Sequence, residues 1–325
     1  MKCAVIGIGN VARRRYLPVL AAEPDIELGC CSRDIASARR GAEEFGGVVL
    51  DDLDAVGRWR PDVAIVVAPD TTHVSIVERL IEHAVPRILV EKPLAAASGQ
   101  SRITHDDLRD GERLARLARE RDIELAMAYN YRHFGVVTRA RAEVERRGWS
   151  APTGVTATTH YACLSHVIDL SGVFLGELDM VTALAGDGPR GAEPWLLEDR
   201  VVAFTARSGA TGVLRVSSAQ PWGDTLLDVT VAYPEGSIRI TDLDGSLELY
   251  DGAEGWRQRL TRADELSRGD GYGTSFANSI RAYLGSVRAD APPPSSVDDG
   301  LAELRFHVAV ERSIAEGRAV RLHEI

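Results

Sequence analysis

Two short stretches carry most of the chemistry that this sequence can offer. In Val90-Glu91-Lys92-Pro93-Leu94 a lysine closes a strand-like apolar run, one glutamate beyond its last valine, and the proline stiffens the turn behind it. An ammonium at the end of a strand can donate a hydrogen bond to an oxygen of a small molecule, or share its proton where burial favours the amine. Lys2 and Lys92 are the only lysines, so nearly every other cation is an arginine. A lysine kept against that bias invites a chemical explanation, although taken alone it also fits an ordinary surface position. In Ser165-His166-Val167-Ile168-Asp169 the pattern is helical, and residues three apart share one helix face. An imidazole titrates near neutral pH and can pass a proton, with Asp169 orienting it. The bland alternative is a packed histidine with the aspartate near a helix start.

A third stretch, Gly7-Ile8-Gly9-Asn10-Val11-Ala12, follows one apolar run and opens a helix. Glycines there allow a tight turn and close approach of backbone N–H groups to a pyrophosphate, the dinucleotide-binding arrangement. Gly7, Gly9, Asn10 and Val11 are the candidate contacts. About twenty residues on, a carboxylate bonds the ribose hydroxyls of NAD whereas an arginine accommodates the extra phosphate of NADP. This chain has Ser32 and Arg33 there, with Arg39 and Arg40 following; Asp34, one position late, fits a helix N-cap better. NADP(H) is therefore favoured, with NAD(H) as the alternative. Pro69, Asp70 and His73 close the next recognisable strand, and Glu91, Lys92 and Pro93 the one after it, at the edge where open α/β sheets place ligands. They complete the predicted cofactor contacts.

The elements needed to position these groups are legible as a rhythm. Cys3–Ile8, Ile26–Cys31, Val63–Val67, Ile88–Val90 and Ile123–Ala128 read as buried strands, with helices over Asp34–Phe45 and Thr72–Ala84. Strands separated by helices imply a parallel sheet. Pro18 restarts or kinks the helix after Gly9. Thr104 caps a helix over Asp106–Arg119, which leaves Ser98–Ile103 as a mobile loop close in sequence to Lys92. After about residue 130 the pattern changes to short strands at Val201–Ala206, Thr211–Ser217, Leu226–Ala232, Ser237–Thr241 and Ser246–Tyr250, joined by turns such as PEG and DLDG. These predict an antiparallel sheet. Val213, Leu214, Val229 and Val231 fall in it, and any that face outward would favour association of subunits. A linker over Ala291–Ser296 precedes a helix whose Ala302, Phe306, Val310 and Ile314 form one apolar stripe, stopped near Gly317.

Composition narrows the function classes. With 325 residues, 45% hydrophobic and 26% charged, the chain suits a globular protein of about two domains. It carries 38 basic against 48 acidic residues, a net charge of −10, without a separate basic cluster, which argues against nucleic acid. No apolar run approaches the roughly 20 residues of a membrane span, and MKCAVIGIGN reads as no export signal. Cys3, Cys30, Cys31 and Cys163 lack metal-binding spacing, so no metal is expected and the thiols fit a reducing cytoplasm.

GIGNVA, VAPDTTH, VEKPLA, YNYR at 129–132, HVID at 166–169 and the closing DDGLAELRFHVAVERSIAEGRAVRL together resemble the glucose-fructose oxidoreductase and inositol dehydrogenase (Gfo/Idh/MocA) family over almost the whole chain. The resemblance implies an α/β protein with an N-terminal Rossmann domain, residues 1–129, and a C-terminal α/β domain, residues 130–325, with an open, largely antiparallel sheet. It implies NAD(P)-dependent redox chemistry on a sugar, sugar nucleotide or cyclitol-like small molecule, and a homodimer or homotetramer built through the second sheet. It also implies that Lys92 and His166 lie beside the nicotinamide as catalytic groups and, with Asn130 and Arg132, contact the substrate.

Two departures stand out. The family usually carries a glycine run and an aspartate four residues before the histidine, where this chain has Ala162 and no glycine run, and the stretch from strand Gly154–Thr159 to His166 is short. Tyr161, His160 or Asp169 are the candidates to replace the carboxylate, and the cleft is either more open or completed by Ser98–Ile103 or a partner subunit. The reading is an NADP-preferring dehydrogenase or reductase acting on CH–OH or C=O. Reduction of an imine or other C=X bond, redox-assisted elimination or hydrolysis, and an inactive dinucleotide-binding regulator or scaffold are the alternatives.

Overall fold

Alternating apolar runs and amphipathic segments build the first unit of the computed structural model, which describes residues 1–189, 198–218, 225–242, 246–261 and 268–325. Strands β1 (Lys2–Ile6), β2 (Glu27–Cys31), β3 (Val48–Leu50), β4 (Val63–Val66), β5 (Arg87–Glu91) and β6 (Glu124–Ala128) form one sheet in the order β3-β2-β1-β4-β5-β6. Every pairing in it is parallel. Its crossovers carry α1 (Leu17–Ala21), α2 (Ile35–Phe45), α3 (Leu53–Trp59), α4 (His73–Glu82) and α5 (His105–Glu120). The order reverses between β1 and β4, which places the carboxyl ends of both beside the first turn after β1.

Local signals explain several boundaries. A π-type turn over Ala12–Tyr16 precedes α1, where Pro18 sits in the first turn, so its missing N–H costs the helix nothing. Asp34 caps α2 by accepting from Ala36 N at 3.2 Å, and Gly46 ends it at φ +76°. Thr104 and Asp107 form a capping box at the start of α5. Strand β3, absent from the sequence reading, is three residues long with Val48 and Val49 exposed, too short to show an alternation.

The second unit consists of Asn130–Ser275 with Arg305–Ile325, whereas Phe276–Leu304 belongs to the first unit. The sequence reading assigned everything after residue 129 to the second domain and gave no hint of that return. The intervening elements are α6 (Gly135–Arg147), β7 (Gly154–His160), α7 (Leu164–Leu175), β8 (Leu178–Pro189), β9 (Glu198–Ala206), β10 (Thr211–Ser217), β11 (Leu227–Ala232), β12 (Gly236–Thr241), β13 (Leu247–Asp251), β14 (Trp256–Leu260), α8 (Arg268–Ala289), α9 (Val297–Glu316) and β15 (Val320–Arg321). Among the described residues nine strands run in the order β14-β13-β12-β11-β7-β10-β9-β8-β15, and of their pairings only that of β7 with β10 is parallel.

Period-two alternation decides which side of this sheet is buried. Leu214, Val229 and Val231 face the core with Val202 and Phe204, whereas Val213 points outward and is 42% exposed. In the first unit, the stretch expected as a linker follows the free edge of β6: Met127 N donates to Ser295 O at 3.1 Å, and Ala126 bridges Ser296. Among the described residues no helix is long and apolar enough to cross a membrane.

Candidate active site

The first unit gathers its polar groups at the carboxyl edge of the parallel sheet. Gly7 takes φ +94°, and a Cβ there would lie 2.5 Å from Ala68 Cα and N, so β1 and β4 approach too closely for any side chain. At Gly9 a Cβ would meet nothing within 4 Å, and Gly9, Asn10 and Val11 are all exposed. The open glycine turn, the uncovered valine and the helix start behind them fit a dinucleotide. Beside them Ser32 is half-buried and Arg33 exposed. Asp34 is engaged as a cap, accepting also from the Ser37 hydroxyl at 2.6 Å.

His73 behaves differently from the sequence expectation of a direct cofactor contact. It is 1% exposed, with Nδ1 2.7 Å from Pro93 O and Nε2 3.0 Å from Ala68 O. Burial holds its proton affinity below the ordinary histidine value, and a neutral ring donates to one of these two carbonyls. It fastens the turn after β4 to the turn after β5 from beneath. Asp70 likewise serves the scaffold, taking Thr71 N at 2.9 Å and Gln100 N at 2.7 Å.

Lys92 ends β5 with its Nζ 2.6 Å from Gln100 Oε1, and the Lys92–Pro93 peptide is cis. Its neighbour Glu91 accepts from the Tyr16 hydroxyl at 2.5 Å, and burial raises the carboxyl group's pKa. Gln100 lies in the stretch expected to be a mobile loop. Instead, Ala97 N donates to Asp107 Oδ1 at 2.6 Å, Gly99 N to Ala96 O at 2.9 Å and Arg102 N to Gly99 O at 2.9 Å, while Ile103 is buried. The sequence reading put this loop near Lys92 but missed Gln100, since nothing in the local pattern separates it from the loop's other polar residues.

In the second unit His166 lies in the first turn of α7, and the chain reaches that helix from β7 through Tyr161–Cys163 alone. Its imidazole stacks on Tyr131, with centroids 3.8 Å apart and planes within 6°. The Tyr131 hydroxyl lies 3.1 Å from Cys163 Sγ, and burial pushes that phenol's pKa well up. Tyr131 and Cys163 were not read as site residues, because a stacking pair 35 positions apart leaves no local pattern.

The residues considered as substitutes for the missing carboxylate have other duties. Asp169 receives Arg132 in a two-toothed pair, Nε donating at 2.8 and 3.1 Å and Nη2 closing the fork, and its side chain is only 3% exposed. A carboxylate held this way is a structural anion and not an open acid, and Arg132, read as a substrate contact, is its counterion. Asn130, read likewise, is 2% exposed and donates to Ser275 Oγ at 2.8 Å. His160 Nδ1 accepts from Ala162 N at 3.2 Å and so caps the turn. Tyr161 is half-buried with its phenol pKa raised by burial. Among the described residues no cluster suited to a metal occurs.

One neighbour of this group gives a pH prediction. Burial, reinforced by Arg132 and Arg141, lowers the His133 pKa from 6.5 to about 4. Between those values the unfolded chain binds a proton that the folded chain refuses, so stability falls as pH drops through that window. The loss should reach about 3 kcal/mol by pH 4. Denaturant titrations of the wild type and His133→Gln at pH 7 and pH 4 check this: the variant should lose less on acidification, and equal losses would remove His133 as the cause.

Comparison with known proteins agrees with this architecture. A family described as "Oxidoreductase family, NAD-binding Rossmann fold" matches residues 1–129. The dTDP-3,4-didehydro-2,6-dideoxy-alpha-D-glucose 3-reductase of Streptomyces violaceoruber is 33% identical over 147 residues, which are 45% of this chain and 40% of that one. The match thus spans about two fifths of that curated relative's length. Inositol 2-dehydrogenase of Rubrobacter xylanophilus is 23% identical over 308 residues, covering 87% of this chain and 82% of its own. An oxidoreductase from Agrobacterium radiobacter, solved with NAD+, L-tartaric acid and magnesium, superposes with a TM-score of 0.83 at 19% identity, covering 100% of this chain and 99% of its own. The family match ends at Tyr129, where the first unit's leading segment ends, and the similarity to the inositol dehydrogenase extends far beyond it: residues 1–129 carry the NAD-binding Rossmann fold of the Gfo/Idh/MocA oxidoreductases, and the rest of the chain is similar to that relative.

Proposed function

We propose that this protein is an NADP(H)-preferring oxidoreductase that interconverts a secondary alcohol and a ketone on a sugar, sugar nucleotide or cyclitol-like small molecule. The observation that carries the reading is Lys92, whose ammonium is held by Gln100 at the same sheet edge as the open glycine turn. When bound, the nicotinamide supplies or takes up the hydride. The Lys92 ammonium donates to the reacting oxygen and stabilises the negative charge that grows there during reduction. His166 gives the proton in reduction and takes it in oxidation. The sugar-nucleotide reductase and inositol dehydrogenase among the relatives support the substrate class. Screening sugars, sugar nucleotides and cyclitols with both cofactors, following absorbance of the reduced nicotinamide, tests the reading; no turnover with any of them would sink it.

The cofactor preference rests on Ser32 and Arg33, with the nearby carboxylate of Asp34 already spent on the cap of α2. A hydrogen bond to a charged group contributes about 1.5–3 kcal/mol, so NADP(H) should bind roughly tenfold or more tightly than NAD(H). In Arg33→Ala the preference should collapse through loss of NADP(H) affinity alone. Fluorescence titration checks it, and tighter NAD(H) binding by the wild type would reverse the assignment.

Subunit association through the second sheet belongs to the same proposal. Leu184, Val201 and Val213 are 72%, 46% and 42% exposed on its outward side, with Leu184 directly opposite Val201. Such an uncovered apolar row is a natural interface. Light scattering at micromolar concentration should give a dimer or tetramer, and a mass of 35.2 kDa would reject it. All four cysteines are buried free thiols, which fits a cytoplasmic location.

A further inference from the structure

We infer that Gln100 is the positioning residue for Lys92: the loop after β5 is built to hold an uncharged carbonyl against the ammonium and so aim it. The inference rests on the proposed role of Lys92. An ammonium on a four-carbon stem has three donors and many rotamers, so its direction must be imposed from outside. Gln100 Oε1 lies 2.6 Å from Nζ, and because a lysine only donates, the amide oxygen must face it.

The backbone of this loop is fixed in a way that an incidental contact would not need. Asp70 Oδ2 holds the Gln100 nitrogen itself at 2.7 Å, and Asp107 Oδ1 holds Ala97 N at 2.6 Å. Between them Gly99 turns the chain at φ +85°, a conformation that side chains rarely adopt. Asp70 in turn opens the short helical turn Asp70–Thr72 that follows β4, so the carbonyl offered to Lys92 is referenced to the same edge of the sheet as the glycine turn. The choice of an amide is informative. A carboxylate at this place would also orient the ammonium but would cancel the positive charge on which a substrate oxygen depends. A neutral carbonyl takes up one N–H and adds no negative charge of its own.

The chain's composition supplies a clean probe, since Lys2 and Lys92 are its only lysines. Lys2 contacts Trp59 and serves as the internal reference. The experiment compares the full-length wild type with Gln100→Leu and Gln100→Glu, reading lysine acylation by mass spectrometry alongside steady-state kinetics. In Gln100→Leu, Lys92 should acylate about tenfold faster relative to Lys2, as an amine released from an acceptor. Its kcat should fall ~10–100-fold, the equivalent of one hydrogen bond to a charged group, with substrate KM and cofactor affinity within about twofold of wild type. Gln100→Glu should restore the slow acylation, and only part of kcat, because its charge opposes that of the ammonium. An unchanged acylation ratio in Gln100→Leu overturns the inference. So does full kcat in Gln100→Leu when Lys92→Met is inactive. Should Lys92→Met itself turn over normally, the role of Lys92 falls, and the role of Gln100 in turnover falls with it.

Discussion

Lys92→Met should lower kcat by ~10²–10⁴-fold while leaving the cofactor dissociation constant nearly unchanged. Methionine keeps the length and apolar stem of the side chain and removes only its charge and donors. In the proposed mechanism those donors act on an oxygen that becomes negative during the reaction, so their loss should be felt in the transition state far more than in ground-state binding. Lys92→Arg should recover little, because a planar guanidinium cannot occupy the point geometry set by Gln100 at 2.6 Å. His166→Ala should cost a comparable factor. Rapid single-turnover measurements with saturating cofactor isolate the chemical step. Near-normal rates for Lys92→Met would remove the ammonium from the mechanism whatever the substrate proves to be.

The second large effect is on stability. Asp169→Asn is nearly isosteric, yet it should destabilise the protein by about 3 kcal/mol, the lower end of the cost of stranding one member of a buried ion pair. Arg132 is 14% exposed at its side chain and retains some access to water, which keeps the cost near that end. The double replacement Arg132→Met with Asp169→Leu should recover much of the loss, because no charge is then left unpaired. Denaturant unfolding of the wild type and the two variants reads this directly. A wild-type midpoint for Asp169→Asn together with a collapse in kcat would return Asp169 to the role of a working acid.

These two residues also mark what the sequence could and could not convey. The glycine turn and Lys92 were legible because both depend on local order: a strand, a turn and a helix start, with glycine demanded where β1 meets β4. The antiparallel half was legible through its alternation, although only register could decide that Val213 faces out while Leu214 faces in. Asp169 was placed correctly on a helix near His166, but its partner Arg132 lies 37 positions earlier, and no local pattern connects the two. The same holds for Tyr131 under the imidazole and for His73, whose type suggested chemistry and whose burial makes it a fastener. Ala162 was recognised as a departure from the family pattern, and its half-buried neighbour Tyr161 packs against the second unit's core and the His160 ring.

The return of Phe276–Leu304 to the first unit governs how the protein can be made. A ribosome releases the chain from its amino end, so all six strands of the parallel sheet emerge long before the segment that lies along the outer edge of β6. Until Ser296 has been synthesised, that edge offers unpaired N–H and C=O groups to any passing strand, including one from a neighbouring nascent chain. The parallel sheet is therefore encoded first but its outer edge is covered almost last, and the nascent first unit is most exposed to mispairing while the second is being translated.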